Sequence, residues 1–447
     1  MRAVHALKAA LGVGALAAHL CMPVMAETAV GLADLLSLAR DNDSEYRAAA
    51  AARDAGLQAR VAGRALLLPS ASASYELGNS EISRDYLNGA APLSYAANSR
   101  ALSWRVSQPV FSLERWSAWK EEDTRSVLAE LRFSEASIEL TLRLARSVFD
   151  TLLASDNLRL AQAQYKTMLS RRMEAEQLRQ AGVLTLTEVE DSRARELSAK
   201  AGELEADFGL QMRRQELTRI VGVLTPDSPL PLPQVALGVA VPDDLAFWLG
   251  RVRDANPKVV SAATALKMAT HGASKSKAAH LPTLDLVASA TQTHNPNNYT
   301  SLERSGGVSL RLSVPLFEGG RTSAGATRAE ALREQSRFDL ETARRDAEVK
   351  ATEAFLGLAN ASAKYHALAQ ALIAAKTSLQ GTLIGRQTGL RTHTDVLNAE
   401  QQVFAVERDL SKERYNHALA GLQLKALSGQ LTEADLVGFI PESQGKH

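Results

Sequence analysis

The chain has 447 residues, and its 51 Lys and Arg nearly balance its 50 Asp and Glu, which leaves a net charge of +1 at pH 7. A mixed and almost neutral chain lacks the clustered positive charge of a nucleic-acid-binding protein, so nucleic acid is not expected as a partner. The single cysteine, Cys21, cannot form a disulfide within the chain and argues against a cysteine-based metal site. We expect no cofactor and no metal.

The first 26 residues have the pattern of a secretory signal peptide. Arg2 and Lys8 supply its positive start, residues 9–20 form its apolar segment, and residues 24–26 suit a cleavage site. The apolar segment is shorter than the roughly 20 residues of a spanning helix, and an N-terminal anchor is the alternative. The pattern predicts an exported protein, without choosing between periplasm, outer membrane and medium.

Beyond this segment, no stretch reaches 18 apolar residues, so we expect no helix to span a membrane. A chain of this kind that crosses a bilayer must do so as a closed β-barrel, because every backbone polar group then finds a partner.

The chain repeats itself at a spacing of roughly 210 residues. Arg105-Val106-Ser107-Gln108-Pro109-Val110-Phe111 matches Arg311-Leu312-Ser313-Val314-Pro315-Leu316-Phe317, and Arg179-Gln180-Ala181-Gly182 matches Arg386-Gln387-Thr388-Gly389. Further matches occur in the same order. We therefore predict two copies of one unit, with the following boundaries: first repeat 27–225, proline-rich linker 226–242, second repeat 243–430 and C-terminal tail 431–447.

Each unit is predicted to contain three helices and two strands. In the first unit these are, in chain order, helix 28–64, strands 67–77 and 101–111, and helices 112–178 and 187–222. In the second they are helix 243–279, strands 282–292 and 306–317, and helices 318–385 and 394–428.

The strands alternate apolar and polar residues, as in Val308, Leu310 and Leu312 against Ser309 and Arg311. Runs of about 10 residues separated by long polar loops are typical of outer-membrane strands with a wet lumen. A half-buried pair in a soluble sheet is the alternative. Because four strands cannot close a barrel, three copies would have to supply 12, whereas the 8 strands of two copies would leave little lumen.

The predicted long helix 112–178 would span about 100 Å at 1.5 Å per residue, and two shorter helices stacked end to end would cover it. Leu128, Leu142 and Phe149 occupy one heptad position of this helix, which favours a coiled coil over an ordinary helical bundle. The predicted fold class is mainly α with a small membrane β-barrel. A trimeric 12-stranded barrel would be continued by a long α-helical barrel.

With its duplicated unit, the strand endings Pro-Val-Phe and Pro-Leu-Phe-Glu-Gly-Gly-Arg, and the segment Gly389-Leu390-Arg391-Thr392-His393-Thr394-Asp395-Val396-Leu397-Asn398-Ala399, the chain resembles the TolC family of outer-membrane export ducts. The resemblance implies a homotrimer in outer-membrane lipid that reaches into the periplasm of a Gram-negative cell. It also implies two partners, a periplasmic adaptor protein and an inner-membrane ABC or other transporter.

The resemblance further implies roles for residues at the helical tips. Asp395 and Asn398 would line the entrance constriction, with Asn398 at a position where the family has a second aspartate. Three rather than six carboxylates would then predict weaker block by cations. The gate-latch candidates are Thr187, Glu188, Arg386 and Arg391, and the adaptor-contact candidates are Arg179, Gly182 and Gly389.

Glu188 and Arg386 carry opposite charges at matching tips. An ion pair between them is predicted to help close the entrance, although an exposed pair contributes only about 0–1 kcal/mol. Solvated tips with ordinary surface charges are the alternative.

Other functional classes fit the chain less well. Catalytic and nucleotide-binding motifs such as HExxH, GxSxG and Walker A are absent from the sequence, and His366, His393 and His417 are too far apart to suggest a metal set. A periplasmic coiled-coil protein would not explain the alternating strands.

Two cargoes remain for an export duct: polypeptides from a type I secretion system and small molecules from an efflux pump. The missing lipobox, the Arg391-Thr392 pair and the stretch 427–432 favour the protein-secreting branch, with a toxin-like polypeptide as cargo.

Overall fold

A computed structural model describes residues 32–84, 91, 93–222, 244–294 and 302–437. The predicted signal peptide, the linker 226–242 and the end of the predicted tail lie outside the described residues. Within the described ranges, no helix has both the length and the apolar composition that a membrane span requires.

The two halves of the chain contain the same elements in the same order. The first half comprises α1 (Leu32–Asn42), α2 (Ser44–Ala65), β1 (Ser70–Arg84), β2 (Leu93–Phe111), α3 (Leu113–Gln180) and α4 (Leu186–Val221). The second half comprises α5 (Leu245–Ala255), α6 (Pro257–Ala278), β3 (Thr283–His294), β4 (Glu303–Ser313), α7 (Arg321–Gln387) and α8 (His393–Leu427). Equivalent helices have 11 and 11, 22 and 22, 68 and 67, and 36 and 35 residues, which supports the proposed duplication.

The predicted single helices 28–64 and 243–279 are wrong, because each is broken into two. Asp43 caps α2 by accepting a hydrogen bond from the Tyr46 amide, and Asn256 caps α6 by accepting from the amides of the two residues that follow Pro257. A side chain that caps a new helix ends the previous one, and proline has no N–H to continue it.

Three of the predicted strand boundaries also need correction: the end of β1, the start of β2 and the end of β4. β1 and β2 pair from Ser70 with Ser107 to Arg84 with Leu93, so most of the predicted loop 78–100 is strand. In the second unit β4 ends at Ser313 rather than at residue 317, because Pro315 cannot donate to a strand ladder. The helix that follows begins at Arg321, and a short helix, α9 (Glu433–Val437), lies in the predicted tail.

The strands form one antiparallel sheet in the order β1-β2-β3-β4. Next to the sheet the helices pack in the order α2, α3, α6, α7, and at the opposite end in the order α7, α8, α3, α4. α3 and α7 run through both helical layers and are each about 100 Å long. Every layer therefore has one edge from the first repeat and one from the second.

The main hydrophobic core lies near the middle of α3, where the shorter helices begin or end. Leu140, Leu144 and Leu152 of α3 are fully buried there. They pack against the following side chains of α1, α4 and α8: Leu35, Leu36, Leu217, Val221 and Leu422. Burying a leucine of this kind contributes about 1.5–3 kcal/mol, so this core fixes the two tip hairpins to the rod.

Candidate functional site at the helical tips

Two turns end the rod on the side away from the sheet: residues 181–185 join α3 to α4, and residues 388–392 join α7 to α8. Each passes through a glycine in the left-handed region, Gly182 at φ 73° and Gly389 at φ 77°. The amide of Gly182 donates to the Arg179 carbonyl at 2.9 Å, and that of Gly389 donates to the Arg386 carbonyl at 3.1 Å. Left-handed glycines are the usual way to end a helix sharply. The predicted adaptor-contact residues thus lie in or beside the tip turns, and their contacts stay a prediction.

The residue after each glycine is a large apolar side chain facing solvent in the single chain. Val183 is 67% exposed and Leu390 is 82% exposed. Sequence reasoning missed this pair, although an apolar residue directly after a repeated Gly was a readable signal. The two tip turns therefore present an apolar side chain at equivalent places.

Both tip helices begin with a capping box. The amide of Thr185 donates to the Glu188 carboxylate at 2.9 Å, and the amide of Thr392 donates to the Asp395 carboxylate at 2.9 Å. In return, the threonine hydroxyls accept from the amides of Glu188 and Asp395. The predicted latch residue Glu188 and the predicted constriction residue Asp395 are therefore equivalent positions of the two repeats.

Hydrogen bonding at the caps sets the charge of the two acids. The Thr185 amide and hydroxyl hold the pKa of Glu188 below its usual range, and those of Thr392 do the same for Asp395. Both carboxylates are therefore ionised at neutral pH. The remaining predicted tip residues, Thr187, Arg391 and Asn398, are exposed, and Asn398 lies one turn from Asp395.

The predicted ion pair between Glu188 and Arg386 is wrong within the protomer. The Arg386 guanidinium lies 2.7 Å from the carboxylate of Glu174 on α3, while Glu188 is occupied by its own capping box. Because the Glu188 carboxylate already accepts a hydrogen bond from a backbone amide at the helix start, an ion pair with a distant cation would stabilise it less.

Arg386 belongs to a chain of ion pairs behind the second tip. Glu174 also accepts from Arg171 at 2.8 Å, and Arg171 donates twice to Glu400 of α8, at 2.7 and 3.0 Å. Burial alone would raise the pKa of Glu174, but hydrogen bonds from Arg386 and Arg171 outweigh it and hold that pKa below its usual range. The Glu400 side chain is only 6% exposed. The network joins α3, α7 and α8 behind the turn.

His393, the first residue of α8, is 3% exposed in the same region. Its Nε2 lies 3.0 Å from Oγ of Ser192 on α4. Burial lowers the pKa of His393, and the positive charge of Arg386 lowers it further. Sequence reasoning noted this histidine only as a poor metal ligand. Within the described residues, no group of three His, Cys, Asp or Glu side chains is placed to hold a metal ion.

A small sheet at one end, a rod about 100 Å long and acid-bearing turns at the other end together define an outer-membrane export channel. The sequence model of the outer membrane efflux protein family matches residues 35–223 and 248–430, and the chain belongs to this family.

Two relatives are similar over most of their length. The alkaline protease secretion protein AprF of Pseudomonas aeruginosa is 30% identical over 91% of this chain and 86% of that relative. The proteases secretion protein PrtF of Dickeya chrysanthemi is 30% identical over 92% of this chain and 90% of that relative.

Among solved structures, the outer membrane protein VceC of Vibrio cholerae superposes with a TM-score of 0.78 at 19% identity, over 89% of this chain and 96% of VceC. The predicted family, fold class, outer-membrane location and role as an export channel are thereby confirmed. The family and the relative AprF are named for outer-membrane efflux and for protease secretion, respectively.

Proposed function

We propose that three copies of this chain form a channel that carries polypeptides from an inner-membrane ATP-driven transporter to the outside. A periplasmic adaptor protein would join the two, and outer-membrane lipid would surround the sheet end. In this proposal the chain guides cargo and catalyses no reaction.

The proposal rests on one observation: the sheet and each helical layer have two different edges, one from each repeat. The sheet ends in β1 on one side and β4 on the other, and the tip layer ends in α4 and α7. When the β1 and α4 edge of one copy meets the β4 and α7 edge of the next, the two copies form a head-to-tail interface. Repeated copies joined in this way close into a ring when the rotation between them allows it. Four strands per chain favour three copies, since 12 strands enclose a lumen and 8 hardly do.

The helical edges carry apolar side chains suited to such an interface. On α4, Leu197, Leu204 and Phe208 are 58%, 61% and 64% exposed, and their spacing of seven and four residues places them on one face. That face lies opposite the buried Ala199 and Leu210 of the same helix. On α7 the exposed apolar side chains include Phe338, Val349 and Leu356, which share one face, and Ile373 and Ile384 nearer the tip. Water-facing stripes of this kind are expected to be covered in the assembled protein.

The tips are the proposed docking place for the adaptor. Arg179, Gly182 and Gly389 would take part through the tip turns, and the exposed Val183 and Leu390 extend the same surface. Asp395 and Asn398 are proposed to line the constriction, and Thr187, Glu188, Arg386 and Arg391 are proposed to act in closing it. For Arg386 the closing contact would run through Glu174 within the protomer.

Polypeptide cargo is supported by the two relatives named for protease secretion. Small-molecule efflux is the second candidate, supported by the description of the family as outer membrane efflux proteins. The channel itself would contact either cargo only in passing, so the choice depends on the transporter it serves.

Deletion of the gene in its own host, followed by complementation, tests the cargo. Proteins in the culture medium and accumulation of a fluorescent dye are measured in the same cells. We expect a polypeptide to disappear from the medium and to return with the complementing gene, with dye accumulation little changed. Unchanged secretion with raised dye accumulation would replace polypeptide export by small-molecule efflux.

A further inference from the structure

His393 occupies a place where a protonated imidazole has no partner. Ser192, which is 1% exposed, donates its one hydroxyl hydrogen to the Glu188 carbonyl at 2.9 Å. Because a carbonyl can only accept, the Ser192 oxygen must act as acceptor towards His393. Nε2 of His393 therefore carries the hydrogen, and Nδ1 is a bare acceptor. Among the described residues, this buried Nδ1 has no hydrogen-bond partner.

The carboxylates around His393 are already bonded to other groups, so none is placed to accept a hydrogen bond from a protonated Nδ1. Arg171 and Glu174 face it from α3, Glu188 from α4 and Arg386 from α7. Glu174 is held by the two arginines, and Glu188 is held by its capping box.

The two acids of α8 itself are similarly engaged. Oε1 of Glu400 accepts from Arg171, and Asp395 accepts from the Thr392 amide. The buried Oε2 of Glu400 has no partner among the described residues, but Glu400 lies two helical turns, or about 10 Å, along α8 from His393. A proton on Nδ1 would thus create a buried cation beside two arginines whose acids are already bonded. Such a group is stable only after it reaches water.

We propose that His393 is a proton-sensitive catch that holds the second tip against α4 when neutral and releases it when protonated. The inference rests on the proposed channel function and adds a regulation of its entrance. The bond to Ser192 joins the start of α8 to α4, so its loss removes a restraint between these two helices. The ion pairs of Glu174 with Arg386 and of Arg171 with Glu400 still join the second hairpin to α3, so the released movement is that of the start of α8 relative to α4.

The sign of the pH effect follows from linkage. Burial lowers the pKa of His393 in the held state, whereas a released, hydrated imidazole returns towards about 6.5. The released state therefore binds the proton more tightly, and it gains population as the pH falls below that value. Each unit of difference between the two pKa values shifts the ratio by up to about tenfold per protomer.

Channel recordings test the proposal. Purified protein is inserted into a planar lipid bilayer, and the open fraction is measured at pH 7.5 and at pH 5. We expect the open fraction of the unaltered channel to rise at pH 5. His393→Gln, whose amide can still donate to Ser192, should abolish the rise.

A second variant and a control make the test specific. His393→Leu introduces the residue of the first repeat, Leu186, which shows that leucine is compatible with this helix start, and it should also remove the pH response. His366→Gln, at an exposed histidine of α7, should keep it. A response retained in both His393 variants, or lost equally in His366→Gln, would overturn the proposal. If the unaltered channel shows no pH response but the gene restores secretion in the deletion strain, the inference about His393 is overturned and the proposed channel function stands.

Discussion

The α3–α4 tip and the α7–α8 tip are built from the same turn and differ in what lies behind it. Both turns use a left-handed glycine, an exposed apolar residue and a capping box. In the first tip, Leu186 is 53% exposed and Arg179 faces solvent. In the second, the equivalent His393 is buried and the equivalent Arg386 is joined to Glu174.

The turns themselves are set by local sequence, and the contacts behind them are set by distant residues. Glycine placement and capping are local, so a repeated sequence produces the same turn twice. The anchoring of the second tip depends on acids of α3 and α8 and a serine of α4, which are distant in sequence. Behind the first turn, Arg172 of α3 also pairs with Glu196 of α4 at 2.9 Å, but the turn-end residues Arg179 and Leu186 are exposed there. The turn of the second copy is thus the more anchored one, and we infer that it carries more of the control of the entrance.

The largest effect is expected from breaking the buried network. Glu400→Ala removes the partner of two hydrogen bonds from Arg171, while Arg171 retains Glu174. We expect a loss of about 2 kcal/mol in the stability of the hairpin, less than the 3–5 kcal/mol of a fully orphaned buried charge. Chemical denaturation followed by circular dichroism measures it.

The matched control lies at the equivalent position of the first repeat, where Arg193 is exposed and its nearest acid, Glu190, is 3.9 Å away. Arg193→Ala should change stability by less than about 0.5 kcal/mol. Equal losses in the two variants would remove the distinction between an anchored and an exposed tip.

The two capping acids should differ in their effect on ions. Asp395 is proposed to face the constriction, so Asp395→Asn should weaken block of the channel by a trivalent cation at least about tenfold. Because the pKa of Asp395 is lowered, its charge is lost only as the pH falls below the usual range of an aspartate. In the His393→Gln channel, in which the proposed opening at low pH is removed, the block should therefore be constant from pH 8 to about pH 5.

Bilayer recordings with Glu188→Gln provide the comparison, and this change is expected to leave the block within about twofold of the unaltered channel. Asn398→Asp should strengthen the block by restoring a second acid ring. A block that depends on Glu188 and not on Asp395 would reverse the proposed roles of the two tips.

The smallest loss of stability is expected from replacing the left-handed glycine that each tip turn contains. A Cβ added at Gly182 or Gly389 meets no atom within 4 Å, so alanine at either position would cost only the left-handed backbone strain. We expect about 1 kcal/mol from each change, measured by denaturation. Gly202→Ala in the interior of α4 should instead stabilise, because it too meets no atom and lies in a regular helix. Unequal losses at Gly182 and Gly389 would show that the turns are not equivalent.

The sequence predicted the elements more reliably than the site, for physical reasons. Alternation in residues 308–312 and the length of the proline-free helices are local patterns, and they identified the sheet and the rod. The breaks at Asp43 and Asn256 were also readable as capping signals, but the apolar pattern continues across both and hid them.

The contacts behind the tips could not be predicted in the same way. Glu174 reaches Arg386 across 212 positions of sequence, and Ser192 reaches His393 across 201. Which charged residue finds which partner depends on how four helices pack, and no local pattern in one chain encodes that packing. The Glu188–Arg386 pairing, which does not form within the protomer, was predicted by matching charges by tip position alone.

Three chains are proposed to close into one channel through their unlike edges, and the mass of the detergent-purified protein tests this assembly most directly. Light scattering, corrected for bound detergent, should give three times the protomer mass. Phe208→Arg on the α4 stripe should reduce the trimer strongly, and Ser198→Arg, which adds the same charge beside the stripe, should leave it intact. A monomeric protein, or a trimer unaffected by Phe208→Arg, would contradict the account.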